Sequence, residues 1–176
     1  MKTKLYKSSL YGATVDITNN RIYFYGGIFS QWFGCNIHDT DKDISYNCAE
    51  QAMMAYKAIT FNDEFALDRI LESHSPSEQK SWGRRIKGYD DKIWSECRLD
   101  IVSKINYWKF TQNSTLKELL ILTGNMEILE ASIPDKIWGI GLGEDDPKIL
   151  DKNNWKGQNL LGIAIMNTRN KIFSEL

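Results

Sequence analysis

The segment Tyr46-Asn47-Cys48-Ala49-Glu50-Gln51-Ala52-Met53-Met54-Ala55-Tyr56-Lys57 constrains this chain more than any other. It reads as an apolar helix in which Glu50, Met53, Met54 and Lys57 share one face. Two helical turns, roughly 10 Å along the axis, separate Glu50 from Lys57. That is too far for a salt bridge between straight side chains, and near enough for both to point into one pocket. A charged residue facing a core is costly unless it is paired. The fold must therefore either turn this face away from the core or put the two charges to chemical use.

The 176 residues suit one domain, and 42% of them are apolar, enough for a core and against disorder. A net charge of −1 gives no overall basic field toward nucleic acid or membrane. No apolar run is long enough to span a bilayer, and Met1-Lys2-Thr3-Lys4-Leu5 lacks an apolar signal segment, so the expectation is a cytoplasmic chain. Cys35, Cys48 and Cys97 are widely spaced and odd in number, which fits a reducing compartment and small buried side chains. The two histidines, His38 and His74, have no obvious nucleophile partner and no metal-ligand spacing. Neither a metal nor a cofactor is expected, and catalysis would rest on carboxylates, lysine, arginine or aromatic groups.

The N-terminal third reads as short strands: Val15-Asp16-Ile17 and Arg21-Ile22-Tyr23-Phe24-Tyr25 flank the turn Thr18-Asn19-Asn20. Ser30 to Asp43 reads as a long loop. Helical punctuation follows. Ser45 or Asn47 opens the Glu50 helix, and Asn62-Asp63-Glu64 opens the next. Ser75-Pro76-Ser77-Glu78 starts a third, which the pattern carries to about Gly88. Ile93 to Phe110 carries an apolar stripe at Trp94, Cys97, Ile101, Ile105 and Trp108. Leu116 to Thr123 is closed by Gly124, Pro147 starts a short helix, and Leu160 to Phe173 is the last. The class expected is α+β, a predominantly helical single domain with a small N-terminal β hairpin or sheet.

Each candidate residue has a plain reading beside a chemical one. Glu50 can answer Asn47 in a capping box, and taken alone that reading weighs more. Lys57 can be a solvated helix lysine with a snorkelling stem. Arg84, in Gly83-Arg84-Arg85-Ile86-Lys87-Gly88, either pairs with a negative helix end or clamps phosphate. Trp94 is either core or a stacking platform. Asp135 and Trp138 precede Gly139-Ile140-Gly141-Leu142-Gly143, whose glycines permit close backbone approach to a ligand but do not form a dinucleotide fingerprint. Trp155, Gly157 and Asn159 make another aromatic, glycine and amide group. Together these suit binding a nucleotide or sugar phosphate and cleaving a glycosidic bond, where a carboxylate steadies a cation-like transition state.

From about Tyr23 to Arg169 the chain resembles the NADAR, or YbiA-like, family. The resemblance lies in Phe24-Tyr25, Phe29-Ser30-Gln31-Trp32-Phe33, Glu50 to Lys57, Gly83-Arg84, Trp94 and Lys109-Phe110-Thr111-Gln112-Asn113. It continues through Leu122-Thr123-Gly124, Glu130-Ala131-Ser132, Asp135 to Gly141, Gly157 to Gly162 and Met166. The resemblance implies one YbiA-like domain and an N-glycosidase hydrolysing a ribose C–N bond. Its substrates would be phosphoribosylamino-pyrimidine intermediates of riboflavin synthesis, or ADP-ribosylated guanine, free or in DNA. It also implies that Glu50, Asp135 and Lys57 are catalytic, and that Arg84, Trp94, Trp138, Gly139, Gly141 and Asn159 bind substrate. Glu50 and Asp135 are then expected to face one ribosyl cavity. A non-catalytic module that binds ADP-ribose or NAD is the alternative. Ser30-Gln31-Trp32-Phe33 departs from the family's usual Ser-Asn-Phe, and Ala52-Met53 stands where aromatic residues are frequent.

Overall fold

A computed structural model describes residues 4–176; Met1, Lys2 and Thr3, part of the segment read above as lacking an apolar leader, lie outside the described residues. Three strands come first: β1 (Leu5–Ser8), β2 (Ala13–Asp16) and β3 (Arg21–Phe24). A second pair, β4 (Gly34–Asp39) and β5 (Ile44–Cys48), leads into α1 (Ala49–Thr60), α2 (Glu64–Glu72), α3 (Pro76–Gly83) and α4 (Asp91–Thr111). The chain ends with α5 (Ser114–Leu122), β6 (Glu127–Glu130) and α6 (Leu160–Ser174). The class is α+β with helix predominating, as the periodicity indicated. No helix among the described residues is long and apolar enough to cross a membrane.

The residues gather into two compact units. One comprises the described residues up to Ser30 together with Thr115–Leu176; the other is Gln31–Ser114. The first unit is built on a four-stranded sheet of order β1-β2-β3-β6. Its first three strands are antiparallel neighbours, and β6 lies parallel to β3, with Ile22 opposite Ile128. The predicted Asn turn joins β2 to β3. Asp16 accepts from the Asn19 backbone and side-chain amides, and Asn20 takes a left-handed φ of 56°, which Asn tolerates better than most residues. Tyr23, Leu129, Ala131, Ile140, Leu142 and Ile149 form a buried cluster in this unit, and α6 packs on β6.

In the second unit α1 is central, with α2, α3, α4 and β5 around it. Ala49, Ala52, Ala55 and Ala58 are buried along it and admit close neighbours, while Met53 and Met54 fill the remaining space. Burying each methionine contributes about 1.5–3 kcal/mol. Three helix starts are set by side chains of their own residues. Asp63 accepts from Ala66 N, Ser75 from Glu78 N, and Asp90 from Lys92 N and Ile93 N.

Four parts of the sequence reading change. Ser30 to Asp43 is not all loop, because Gly34–Asp39 pairs with Ile44–Cys48. Of β4 only Ile37 and Asp39 are buried, and a register shift falls between Gly34 and Ile37, so the strand carries no clean alternation. β6 lacks any local mark beyond Ile128 and Leu129. Helix α3 stops at Gly83, where a Cβ would lie 1.9 Å from Met54 Sδ. Of the cysteines, all free, only Cys48 is fully buried; Cys35 and Cys97 are half-buried.

Candidate functional site

The capping box expected between Asn47 and Glu50 is absent. Cys48 is the cap residue, its Sγ accepting from Gln51 N, and Gln51 Oε1 accepts from Asn47 N. The Glu50 N–H instead donates to Gln31 O at 2.9 Å. Gln51 thus does the work expected of Glu50, and its Nε2 also donates to Ile70, Leu71 and Ser73 carbonyls. Glu50, only 3% exposed, lies in the first turn of α1 without serving as its cap.

Lys57 is not a solvated lysine. Its stem is half-buried, its Nζ donates to Gly83 O at 3.0 Å, and the same nitrogen lies 4.1 Å from the centroid of the Tyr89 ring. Burial pulls its pKa below the ordinary lysine value. The charges of Asp91 and Glu50 oppose that shift, and Arg84 adds to it. Arg84 itself is exposed at the end of α3. Trp94, 4% exposed, stands in the first turn of α4, one turn before the buried Arg98. Glu50, Arg84 and Asp91 therefore all act on the Lys57 charge, and Tyr89 lies against its nitrogen. These residues are brought together by α1, the end of α3 and the start of α4.

Tyr89, Asp91 and Gln31 escaped the sequence reading. Tyr89 and Asp91 sit in the short connection and first turn around the α4 cap, where no periodicity singles them out. Gln31 stands at the departure from the usual Ser-Asn-Phe. Its Nε2 donates to Met53 Sδ at 3.7 Å and its Oε1 accepts from Asn106 Nδ2 at 3.2 Å, so it braces the Glu50 helix from inside. The departure from the family pattern was the available signal.

In the first unit Asp135 holds its own loop. Its Oδ1 accepts from Ile137 N at 2.9 Å and Trp138 N at 2.8 Å. Trp138 is half-buried. Gly139 fits where a Cβ would lie 2.9 Å from Glu130 O and 3.0 Å from Asp135 O, and Gly141 has a φ of 74°. The loop carbonyls of Ile137, Trp138 and Gly139 accept from Leu160, Leu161 and Asn159 N–H groups. They thereby occupy donors at the start of α6 that an anion could otherwise use. Asn159 takes a φ of 54°; its Oδ1 accepts from Glu130 N and its Nδ2 donates to Ile128 O. Both ends of that amide are engaged by β6, which makes Asn159 a brace of the loop. Tyr25, Ala131, Ile133, Pro134, Gly143 and Glu144 contribute to a depression of about 480 Å³ whose lining does not include Asp135. Among the described residues no three His, Cys, Asp or Glu side chains are grouped to hold a metal ion.

A family model described as the NADAR domain matches residues 23–173. The chain belongs to the NADAR domain family. Its resemblance to "N-glycosidase R617" of Acanthamoeba polyphaga mimivirus is 39% identity over 86% of this chain and 96% of that protein. "Riboflavin biosynthesis protein VVA0006" of Vibrio vulnificus is 25% identical over 94% of this chain and 42% of its own length. Among solved structures, the NMR structure of the E. coli protein YbiA matches with a TM-score of 0.73 at 25% identity, covering 90% of this chain and 88% of that one. The NADAR assignment and the YbiA-like fold thus agree with the sequence resemblance, and the matched span reaches a few residues past Arg169.

Proposed function

We propose that this chain is an N-glycosidase, a hydrolase that breaks a ribose C–N bond in a ribosyl substrate. The observation that carries the reading is the buried Glu50 on the same helix as Lys57, a half-buried lysine whose pKa burial lowers. The names of its relatives support the reaction class. The name of the Vibrio relative favours a phosphoribosylamino-pyrimidine of riboflavin synthesis as substrate. ADP-ribosyl-guanine, free or in DNA, is the second substrate of the proposal.

In the reaction the C1′–N bond lengthens, its electron pair goes to the departing nitrogen, and positive charge spreads over C1′ and the ring oxygen. A carboxylate lowers that barrier by stabilising the cation or by taking a proton from the attacking water. Water then forms the new C1′–O bond, and a proton goes to the leaving nitrogen. Glu50 and Asp135 are assigned the carboxylate roles. Lys57 either holds the ribose or the leaving group, or its neutral amine adds to C1′ of the ring-opened sugar, the original C1′–N bond then breaking with a proton passing to the departing nitrogen, to give a Schiff base that water later hydrolyses. Arg84 is assigned to phosphate. Trp94 and Trp138 are assigned to the base, and Gly139 and Gly141 to close backbone approach. Asn159 enters through the shape of that backbone.

A side-by-side assay tests this reading. The purified chain is offered a phosphoribosylamino-pyrimidine and ADP-ribosylated guanosine, the latter free and within DNA, with products followed by mass spectrometry. Release of the ribosyl product from at least one is expected. Tight binding of ADP-ribose or NAD with no product from any of them would replace the enzyme reading with a binding module. Borohydride added during turnover separates the two lysine roles: a reduced adduct on Lys57 reports the Schiff base, and its absence reports the acid-assisted route.

A further inference from the structure

Resting on the N-glycosidase reading, we propose that Tyr89 and Asp91 are a positioning pair that seats the Lys57 ammonium between an aromatic face and the Gly83 carbonyl. The Lys57 nitrogen is 3.0 Å from Gly83 O and 4.1 Å from the centroid of the Tyr89 ring. At that distance the negative face of the ring attracts a cation. The ring is itself held from two directions. Its O–H donates to Asp91 Oδ1 at 2.7 Å, and Phe61, the residue that ends α1, meets it edge-on at 5.3 Å and 65°. Tyr89 is 43% exposed, so burial alone does not dictate its orientation. These two contacts do.

The seat also sets the charge of the amine. The charged groups around Lys57 are Glu50 on its own helix, Arg84 at the end of α3 and Asp91 at the start of α4. Around Tyr89 the charged groups are Asp91, Arg98 and Asp90. Burial drives Lys57 toward the neutral amine, Asp91 and Glu50 favour the ammonium, and Arg84 opposes them. Tyr89 is pushed up to about 12, first by burial and then by its bond to Asp91, so it remains a hydroxyl donor across neutral pH. Removing the ring or the Asp91 charge takes away support for the ammonium while burial remains. Lys57 then releases its proton at lower pH. If cleavage uses the ammonium, the falling limb of the pH–rate profile moves down; if it uses the free amine, the rising limb moves down.

The test is a site-resolved NMR titration of the Lys57 side chain in the full chain, comparing the parent with Tyr89→Phe, Tyr89→Leu and Asp91→Asn. Tyr89→Leu and Asp91→Asn should each lower the Lys57 midpoint by about half a pH unit or more. Tyr89→Phe, which keeps the ring, should shift it less than Tyr89→Leu. In cleavage assays the corresponding limb should move in the same direction, with kcat affected more than KM. An unmoved Lys57 midpoint in both Tyr89→Leu and Asp91→Asn, with native amide spectra, overturns the proposal. Shifted midpoints in a chain that cleaves no ribosyl substrate would uphold the seat and remove the glycosidase reading alone.

Discussion

Two carboxylates invite different substitutions because they do different structural work. Glu50 is not the helix cap, and its backbone N–H is held by Gln31 O, so Glu50→Gln keeps the size and the backbone bond while removing the charge. Cleavage should fall by about 10²–10⁴-fold, the range expected when a positioned acid–base group is lost. Near-native circular dichroism and melting temperature should accompany that fall, and full turnover would exclude Glu50 from the chemistry. Asp135 differs, since one of its oxygens holds two backbone N–H groups of its loop. Asparagine can accept the same two bonds, whereas alanine leaves both donors open. Asp135→Asn should therefore lose cleavage with the loop intact, and Asp135→Ala should also lose about 1–2 kcal/mol of stability in urea titration. Equal activity in Asp135→Asn and the parent would show that Asp135 serves only its turn. At this scale Glu50 and Lys57 were legible because helical spacing put them on one face. Tyr89 was not, because its value lies in a lysine on another element.

Among the elements, the 139–141 loop and the start of α6 behave as one piece. The N–H groups of residues 156–161 donate to carbonyls of residues 136–140, and at Gly157 a Cβ would lie 2.1 Å from Gly139 O and 3.0 Å from Ile140 C. Both obstacles are backbone, so no side-chain rotation relieves them. Gly157→Ala should destabilise the chain by roughly 1–3 kcal/mol, as forced overpacking does. Chemical denaturation measures the loss, and amide exchange should locate it in residues 137–141. Unchanged stability would mean that this backbone can shift freely. The helix starts at Asp63 and Ser75 could be read directly, because the cap oxygen and the N–H that donates to it lie three residues apart. The strands β4 and β6 could not, since each is four to six residues long and is defined by a partner. For β6 that partner is more than 100 residues away in the sequence, with Arg21 opposite Glu127.

For the molecule as a whole, the pH dependence of stability has a specific contributor. Lys109 is fully buried in α4, and burial pulls it down to about 8 against the opposing influence of Cys35 and Cys48. In the unfolded chain it returns to about 10.4, so between those values the unfolded state holds a proton that the folded state has released. Stability therefore rises with pH across that window. Cys48 acts in the opposite sense: burial pushes it up to about 11, so its contribution is whole below the ordinary thiol value and is lost as pH rises toward 11. Comparing the parent with Lys109→Met isolates the lysine. Parent-minus-variant stability should grow by at most about 3 kcal/mol between pH 7 and pH 10.5. Urea titrations across that range measure it, and a flat difference would mean that Lys109 titrates as an ordinary lysine.

Whatever depends on neighbours within a turn or two was already determined by the sequence. That covers the helical character of residues 49–111, the β2–β3 turn, the caps at Asp63 and Ser75, and the placement of Glu50 and Lys57 on one side of α1. The ordered motifs from Phe24 to Met166 likewise carried the family. Tertiary structure alone decided that the Glu50 N–H is held by Gln31 O, that Lys57 lies over Tyr89, that the Asn159 amide is committed to β6, and that β6 closes the sheet beside β3. The physical reason is the range of the interactions. A cap or a helical face is closed by hydrogen bonds and side-chain contacts a few residues apart. An acceptor for a buried amide, a ring beneath an ammonium or a parallel strand partner is supplied by whichever distant segment the packed chain brings there.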